Sequence, residues 1–273
     1  MKIASWNVEG RLTHATKKKR GTPQKILNMI EQIHADVVVL PEAYIGKPAA
    51  GVNEKLAALG YTWQDARYNE HDSEHPDDNY IRVLSKLKIK RSEQFRWNNV
   101  RGLLSVILEE PVSKKEMRII ATHLDERSDT RRLAQLKDAV SFVNSSNLPT
   151  VMLGDFNAMH DDARAKFIRS QIARTLVSLL PSKRIQSPAH MLMEMASGAS
   201  LAFLESNTNL RDVDVKHRPT TTPKLREIEW MPSVRTAQID HIFVTPDITA
   251  TKFKISKDGG SDHRAISADI EIK

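Results

Sequence analysis

The chain has 273 residues, of which 41 are lysine or arginine and 34 are aspartate or glutamate, so that its net charge is +7. It contains no cysteine, which excludes disulfides and thiolate zinc sites, and no apolar run reaches the ~18 residues of a membrane span. The segment Met1–Asn7 is strand-like and lacks the apolar stretch of a signal peptide, so we expect a cytoplasmic protein. We find no linker or internal repeat and expect one domain over residues 1–273.

Strands and helices alternate along the first half of the chain. A strand-like start over residues 2–6 is followed by Thr22 and Pro23, an N-cap with proline at the first helical position. Isoleucines then recur at helical spacing, which predicts an amphipathic helix over residues 23–34. The run Val37–Leu40 is short, apolar and rich in β-branched residues, which indicates a strand buried on both faces.

The second half of the chain contains more alternating segments. Helical periodicity predicts helices over residues 130–142 and 163–180. In the last run, Ile266, Ala268 and Ile270 share one face of a strand. Strands outnumber helices, so two sheets packed face to face with helices outside accommodate the pattern. Periodicity alone equally permits a doubly wound sheet.

Polar residues suited to catalysis follow or precede these strand-like runs. Gly154-Asp155-Phe156-Asn157 comes directly after an apolar run, and Ser261-Asp262-His263 stands just before the last strand. Further acids, amides and histidines occupy similar places, namely Asn7, Glu42, His123 and Asp240. Phosphoester hydrolysis needs such groups, because it uses a metal site, a water, a base and donors to phosphate oxygens.

Six short motifs occur in a fixed order from residue 5 to residue 263: SWN, PE, THL, GDFN, IDHIFV and SDH. Together they resemble the endonuclease/exonuclease/phosphatase superfamily, the relatives of pancreatic deoxyribonuclease. The resemblance implies an α/β fold of four layers, two packed β-sheets flanked by helices. It also implies a phosphoesterase that depends on a divalent metal, Mg²⁺ with Mn²⁺ as an alternative.

The resemblance assigns a role to each polar residue. Mg²⁺ is held by one or two carboxylates plus waters and substrate phosphate, so Glu42 is the predicted metal ligand, with Asn7 and Asp262 assisting. His263 is the predicted base, because an imidazole can accept a proton near neutrality and a buried carboxylate, here Asp240, fixes its tautomer. We expect His241, on the opposite face of the same strand, to be structural.

The remaining predicted catalytic residues act on the water and the phosphate. Asp155 positions the attacking water and Asn157 donates to a phosphate oxygen; being two residues apart on an extended segment, they should point the same way. His123 donates to a phosphate oxygen or to the leaving group, with Asp78 as a weak candidate for its partner. A turn-forming role remains open for Asp155 and Asn157.

The substrate is less determined than the chemistry. The positive charge favours nucleic acid, and the run Lys17-Lys18-Lys19-Arg20 is either a rim for flanking phosphates or a solvated turn. The polar segment 71–78 is more readily a solvated loop than a metal site, and Trp97 and Trp230 are base-stacking candidates or core anchors.

Two departures from the family bear on the substrate. The chain differs from relatives that repair abasic DNA at Leu40-Pro41-Glu42-Ala43 and at Thr122-His123-Leu124. These differences argue against abasic-site repair as its activity. Deoxyribonuclease-like, deadenylase-like, tyrosyl-DNA phosphodiesterase-like, sphingomyelinase-like and inositol-phosphatase-like activities stay open. The alternatives to a nuclease are therefore the same chemistry on a phospholipid or sugar phosphate, or a catalytically silent member that binds nucleic acid. The sequence does not determine the oligomeric state, and we expect a monomer.

Overall fold

The computed structural model describes residues 1–13, 22–44, 47–67, 80–97, 101–126, 128–163, 197–221, 237–257 and 259–273. The strands are β1 Lys2–Ser5, β2 Val37–Leu40, β3 Thr62–Arg67, β4 Tyr80–Ser85, β5 Lys88–Trp97, β6 Arg101–Glu109, β7 Glu116–His123, β8 Thr150–Asp155, β9 Arg211–Asp212, β10 Asp240–Val244, β11 Ile248–Ile255 and β12 Ile266–Ile272. The helices within the described ranges are α1 Pro23–Ile33, α2 Val52–Ala58, α3 Asp129–Asn144 and α4 Ala199–Asn207.

The strands form two six-stranded sheets. The first has the order β11-β12-β1-β2-β4-β3 and the second the order β5-β6-β7-β8-β10-β9. Their facing sides bury the main core, which includes Ile3, Val39, Ile119 and Leu153. A second cluster lies beneath α1 and α2 on the outer face of the first sheet, and a third beneath α3 and α4 on the outer face of the second. The predicted four-layered α/β sandwich is thus confirmed, and the single doubly wound sheet is not what forms.

Local signals in the sequence account for the helix ends. Helix α1 begins where the Thr22 hydroxyl accepts from the Lys25 amide at 3.4 Å, with Pro23 next, and ends at His34 in a left-handed conformation. The helix predicted over residues 130–142 is α3, two residues longer at its C-terminal end and capped by Ser128. The helix predicted over residues 163–180 lies almost entirely outside the described residues.

Strand direction collects the polar residues at one edge of the sandwich. Strands β1 and β2 run parallel, as do β7 and β8, so each pair ends on the same side. Asn7 and Glu42 lie two residues beyond β1 and β2, while His123 and Asp155 are the last residues of β7 and β8. Strand β10 is antiparallel to β8, so its first residue, Asp240, pairs with Asp155.

Several features of the sequence remain without a structural description. The basic run 17–20, the polar segment 71–78 and Trp230 lie outside the described residues. Trp97 is described and packs in the outer cluster of the second sheet, 6% exposed, which makes it a core anchor. Among the described helices, none is both long enough and apolar enough to cross a membrane.

Candidate active site

The Asn7 side chain joins the two acids of the site. Its Nδ2 donates to Asp155 Oδ2 at 2.9 Å and to Glu42 Oε1 at 3.1 Å. Its Oδ1 accepts from the Glu9 amide at 2.9 Å, which fixes the orientation of the amide group. Asn7 thus presents its nitrogen to the carboxylates and uses its oxygen on the backbone, and its predicted part in assisting the metal stays a prediction. Its observed contribution is to hold Glu42 and Asp155 together.

Glu42 lies at a sharp turn after β2. Its φ is +48°, a left-handed conformation that residues with a side chain rarely adopt. The Gly10 amide donates to the Glu42 carbonyl at 2.7 Å and supports this turn. Backbone strain of this kind is often found at functional sites, and here it accompanies a half-buried carboxylate directed at the other polar groups.

Asp155 is the most buried acid of the group, at 1% exposure. Burial, aided by the nearby Asp240 carboxylate, raises the pKa of Asp155 to about 7, against the opposing effects of His263 and of hydrogen bonds from Asn7 and Asn157. The ionised form of such a carboxyl requires positive charge beside it. Asp155 is therefore a carboxyl that a bound cation would stabilise.

His123 contacts the same pair of acids from the end of β7. Its Nε2 lies 3.6 Å from both Glu42 Oε1 and Asp155 Oδ2, and the residue is 4% exposed. The structure thus places His123 at the predicted site. Its suggested partner Asp78 lies outside the described residues.

Asp240 and His263 form the expected pair. His263 Nδ1 lies 2.9 Å from Asp240 Oδ2 and 3.1 Å from Oδ1, while its Nε2 points toward Asp155 Oδ2 at 3.7 Å. Burial lowers the pKa of His263, but the carboxylates of Asp240 and Asp155 outweigh it and hold that pKa well above the ordinary value. Asp240 is itself fixed, since its Oδ2 accepts from the Thr220 hydroxyl at 2.7 Å.

Three supporting residues were not predicted from the sequence. The Trp6 indole donates to the His263 carbonyl at 3.0 Å, and the Ser261 hydroxyl donates to the Asn7 carbonyl at 2.7 Å. Thr220 supports Asp240. Trp6 and Ser261 stand inside the motifs SWN and SDH, which is a signal that could have found them, whereas Thr220 stands in a threonine-rich stretch with no such motif.

The geometry of Asn157 corrects one expectation. Asn157 has a φ of +49°, so the segment turns at this residue and is not extended. The prediction that the Asp155 and Asn157 side chains point the same way assumed an extended segment, and that assumption is wrong. The Asn157 amide donates to Asp155 Oδ1 at 2.9 Å, a turn of the Asx type. Its Nδ2 donates to the Leu124 carbonyl at 3.0 Å, and within the described part of the chain the second hydrogen of that amide group has no acceptor.

Asp262 acts on the site through the adjacent residues Ser261 and His263. It is half-buried, its Oδ1 lies 3.5 Å from the Ser261 hydroxyl, and its charge contributes to raising the pKa of His263. Asp262 therefore influences the imidazole of His263 electrostatically, and its predicted part in assisting the metal stays a prediction.

Two sets of ligand atoms in this site suit a cation. Glu42 and Asp155 converge on one amide group and offer carboxylate oxygens, the ligands that Mg²⁺ prefers. Asp155, Asp240 and His263 also offer ligand atoms within 4.8 Å of one another, all buried. The second set already contains the Asp240–His263 pair, so the first set is the better fit for a metal that leaves the imidazole available.

Comparison with known proteins identifies the family of the chain. Residues 4–263 match the model of the endonuclease/exonuclease/phosphatase family. Among curated protein sequences, none is detectably similar to the chain.

Several solved structures share the fold at low identity. An endonuclease/exonuclease/phosphatase from Beutenbergia cavernae is 19% identical with a TM-score of 0.68, over 99% of this chain and 71% of that one. The 3′ phosphatase NExo from Neisseria, bound to a product DNA hairpin, is 15% identical with a TM-score of 0.66, over 99% of both chains. ANGEL2, a 2′,3′-cyclic phosphatase, is 17% identical with a TM-score of 0.65, over 99% of this chain and 95% of that one.

The family match spans nearly the whole chain, from β1 to the histidine before β12, and includes every residue of the site described above. The chain therefore belongs to the endonuclease/exonuclease/phosphatase family.

Proposed function

We propose that the protein is a divalent-metal-dependent phosphodiesterase that hydrolyses nucleic acid. One observation carries the proposal. Two carboxylates, Glu42 and Asp155, converge beside two imidazoles, His123 and His263, and the second imidazole has its own carboxylate behind it. Hydrolysis of a phosphodiester needs these groups at one place, whereas a protein that only binds nucleic acid has no use for a buried aspartate–histidine pair.

We assign Mg²⁺ to Glu42 and Asp155, with Asp262 assisting, which gives Asp155 a metal-holding role in place of the water-positioning role expected from the sequence. Mg²⁺ supplies positive charge that stabilises the phosphate as negative charge develops on it. The raised pKa of Asp155 supports this assignment, because a carboxyl with a pKa of about 7 is partly protonated near neutral pH unless a cation stabilises its charge. Asn7 then acts as the positioning residue of the two acids.

His263 is placed to act as the base. Its Nδ1–H donates to Asp240, so in the neutral ring Nε2 carries the lone pair, directed toward Asp155. Nε2 takes a proton from water, the water oxygen forms a bond to phosphorus, and the bond to the leaving oxygen breaks. Asp240 holds the tautomer and stabilises the imidazolium that results. His123 and the second amide hydrogen of Asn157 are donors for the phosphate and leaving oxygens.

The proposal of nucleic acid as substrate depends on charge and on the relatives. The net charge of +7 attracts polyanions. NExo was solved with a DNA hairpin product, and a zebrafish TDP2 with a single-stranded DNA product. A phosphatase or phosphodiesterase acting on phospholipid or sugar phosphate would use the same catalytic groups, and the substrate test below separates these cases.

Activity should be measured with Mg²⁺ and Mn²⁺ on single- and double-stranded DNA, RNA, bis-p-nitrophenyl phosphate and phospholipid vesicles. We expect metal-dependent cleavage of a nucleic acid and of the small diester. Cleavage of the phospholipid alone would overturn the substrate assignment, and inactivity on every substrate with both metals would overturn the reaction itself.

The basic run 17–20 offers a second test of the substrate. Replacing Lys17, Lys18, Lys19 and Arg20 by serine should weaken binding of long DNA or RNA and reduce the log–log salt slope by about 0.7 to 0.9 for each lost phosphate contact. Turnover of bis-p-nitrophenyl phosphate should stay near wild type, because a small diester carries no flanking phosphates for the basic run to contact. An unchanged salt slope would show that these four residues make no phosphate contacts. An equal loss of activity on the long nucleic acid and on the small diester would indicate damage to the fold.

A further inference from the structure

A second group of histidines and carboxylates lies on the outer face of the second sheet. Asp240 and His241 are neighbours in β10, so their side chains point to opposite faces. Asp240 belongs to the site described above, whereas His241 packs against Phe156 and Phe243 in the outer cluster. The group on that outer face consists of His160, Asp162, Glu205, Asp212, His217 and His241.

Asp212 is the centre of this group and is held on both of its oxygens. Oδ2 lies 2.7 Å from His241 Nδ1 and 3.0 Å from His160 Nε2, and Oδ1 accepts from the Asp214 amide at 2.9 Å. His241 Nε2 faces the Ala158 carbonyl at 2.9 Å and its Nδ1 faces Asp212, so the ring is held between two acceptors. His241 thus orients Asp212 from the buried side, as residues behind a metal ligand commonly do.

The other two imidazoles lie toward the surface. The rings of His160 and His217 are stacked with centroids 4.0 Å apart and planes 17° from parallel. Two carboxylates are close by: Asp162 Oδ1 lies 2.5 Å from His217 Nδ1, and Glu205 Oε2 lies 3.9 Å from His160 Nδ1.

We propose that His160, Asp212 and His217 form a second cation site, separate from the catalytic one, for Zn²⁺ or a similar transition-metal ion. Two imidazole nitrogens and a carboxylate oxygen are a donor set typical of zinc, and a water can complete the tetrahedral set. The ligand atoms of the three residues lie within 4.8 Å of one another. A tetrahedral ion with bonds of about 2.1 Å separates its ligands by roughly 3.4 Å, so binding draws the side chains together by at most about 1.4 Å. The stacked rings turn toward the ion as this happens.

The position of the site suggests its role. Asp212 and His217 lie in the segment 211–221, which also carries Thr220 and Thr221. Thr220 donates to Asp240 and accepts from the Arg264 amide at 2.8 Å, and Thr221 bridges to His263. An ion that ties this segment to His160, on the loop after β8, braces the backbone that supports the Asp240–His263 pair.

The test is Zn²⁺ binding to the whole protein, measured by titration calorimetry in excess Mg²⁺ and by the visible spectrum of Co²⁺. Variants His217→Ala and His160→Ala remove proposed ligands. His34→Asn removes a histidine at the end of α1, where asparagine tolerates the left-handed backbone, and Glu42→Gln alters the catalytic site. We expect wild type, His34→Asn and Glu42→Gln to bind one Zn²⁺ with similar affinity, and each ligand variant to bind at least ~10-fold more weakly.

A second measurement, thermal melting, distinguishes the loss of Zn²⁺ binding from misfolding of a variant. Zn²⁺ should raise the melting temperature of the wild type and leave that of His217→Ala nearly unchanged, because an ion that binds only the folded state stabilises it. The melting temperature without metal shows whether each variant folds. Absence of Zn²⁺ binding by the wild type, or wild-type affinity in both ligand variants, would overturn the proposal. Loss of binding in Glu42→Gln alone would assign the ion to the catalytic site and overturn it as well.

Discussion

Asp240→Asn is the most direct test of the proposed base. The substitution keeps the size of the side chain and replaces one carboxylate oxygen by an NH₂ group. In the wild type, Asp240 Oδ2 lies 2.9 Å from His263 Nδ1 and also accepts from the Thr220 hydroxyl. An amide can satisfy one of these partners through its oxygen, but it carries no charge to stabilise an imidazolium. If its NH₂ group turns to Nδ1, it also imposes the wrong tautomer on the ring.

The magnitude follows from the electrostatic balance at His263. Burial lowers its pKa and the Asp240 charge is the largest effect that raises it, so removing that charge leaves a weaker base. A general base of this kind contributes about 10² to 10⁴ in rate, which corresponds to roughly 2.7 to 5.4 kcal/mol of activation free energy. We expect kcat to fall by that factor and KM to change little, because Asp240 is 1% exposed and lies behind the ring.

The assay is steady-state hydrolysis of bis-p-nitrophenyl phosphate at saturating Mg²⁺, with thermal melting as a check on folding. Asp247→Asn is the matched control, because Asp247 lies exposed in the turn after the same strand and uses its backbone carbonyl, not its side chain, on Lys273. A near-normal kcat in Asp240→Asn would refute the reasoning. An equal loss in Asp247→Asn would indicate that the assay reports general damage.

Three further predictions concern the pH profile, the metal and the backbone of the site. Since His263 must be neutral to accept a proton and its pKa is raised, kcat should increase with pH through an apparent pKa above the ordinary value of about 6.5, and a profile that falls over this range would contradict the role. Glu42→Gln should lower kcat by roughly 10² or more with a melting temperature near wild type, and full activity at low Mg²⁺ would remove Glu42 from the metal site. Gly154→Ala places a Cβ 1.9 Å from the Thr122 carbonyl oxygen at φ of +151°, so urea unfolding should show a loss of roughly 3 kcal/mol or more. Gly60→Ala is its control, with φ of +85° but open space around the new Cβ, and should cost only about 1 kcal/mol; equal losses in the two variants would rule out the clash.

The sequence by itself determined the elements whose signals are local. Thr22-Pro23 and the spacing of isoleucines predicted α1, and the apolar run before Glu42 predicted β2, because caps and periodicity depend on neighbours in the chain. The order of the short motifs indicated the family, and the polar residues at strand ends indicated the site, because parallel strands deliver their ends to one edge.

Only the tertiary structure decided which atoms meet. The sequence suggested that Asn7 assists Glu42 at the metal, and the structure adds that the Glu9 amide holds the Asn7 oxygen while the Asn7 nitrogen faces the acids. The Thr220 hydroxyl donates a hydrogen bond to Asp240, and no sequence motif around Thr220 predicts this contact. The contact between His160 and Asp212 spans 52 residues of chain, and it exists because β8 and β9 flank β10. These distances are set by the sheet order and the side-chain rotamers, which depend on contacts far apart in sequence. Composition and periodicity therefore do not predict them.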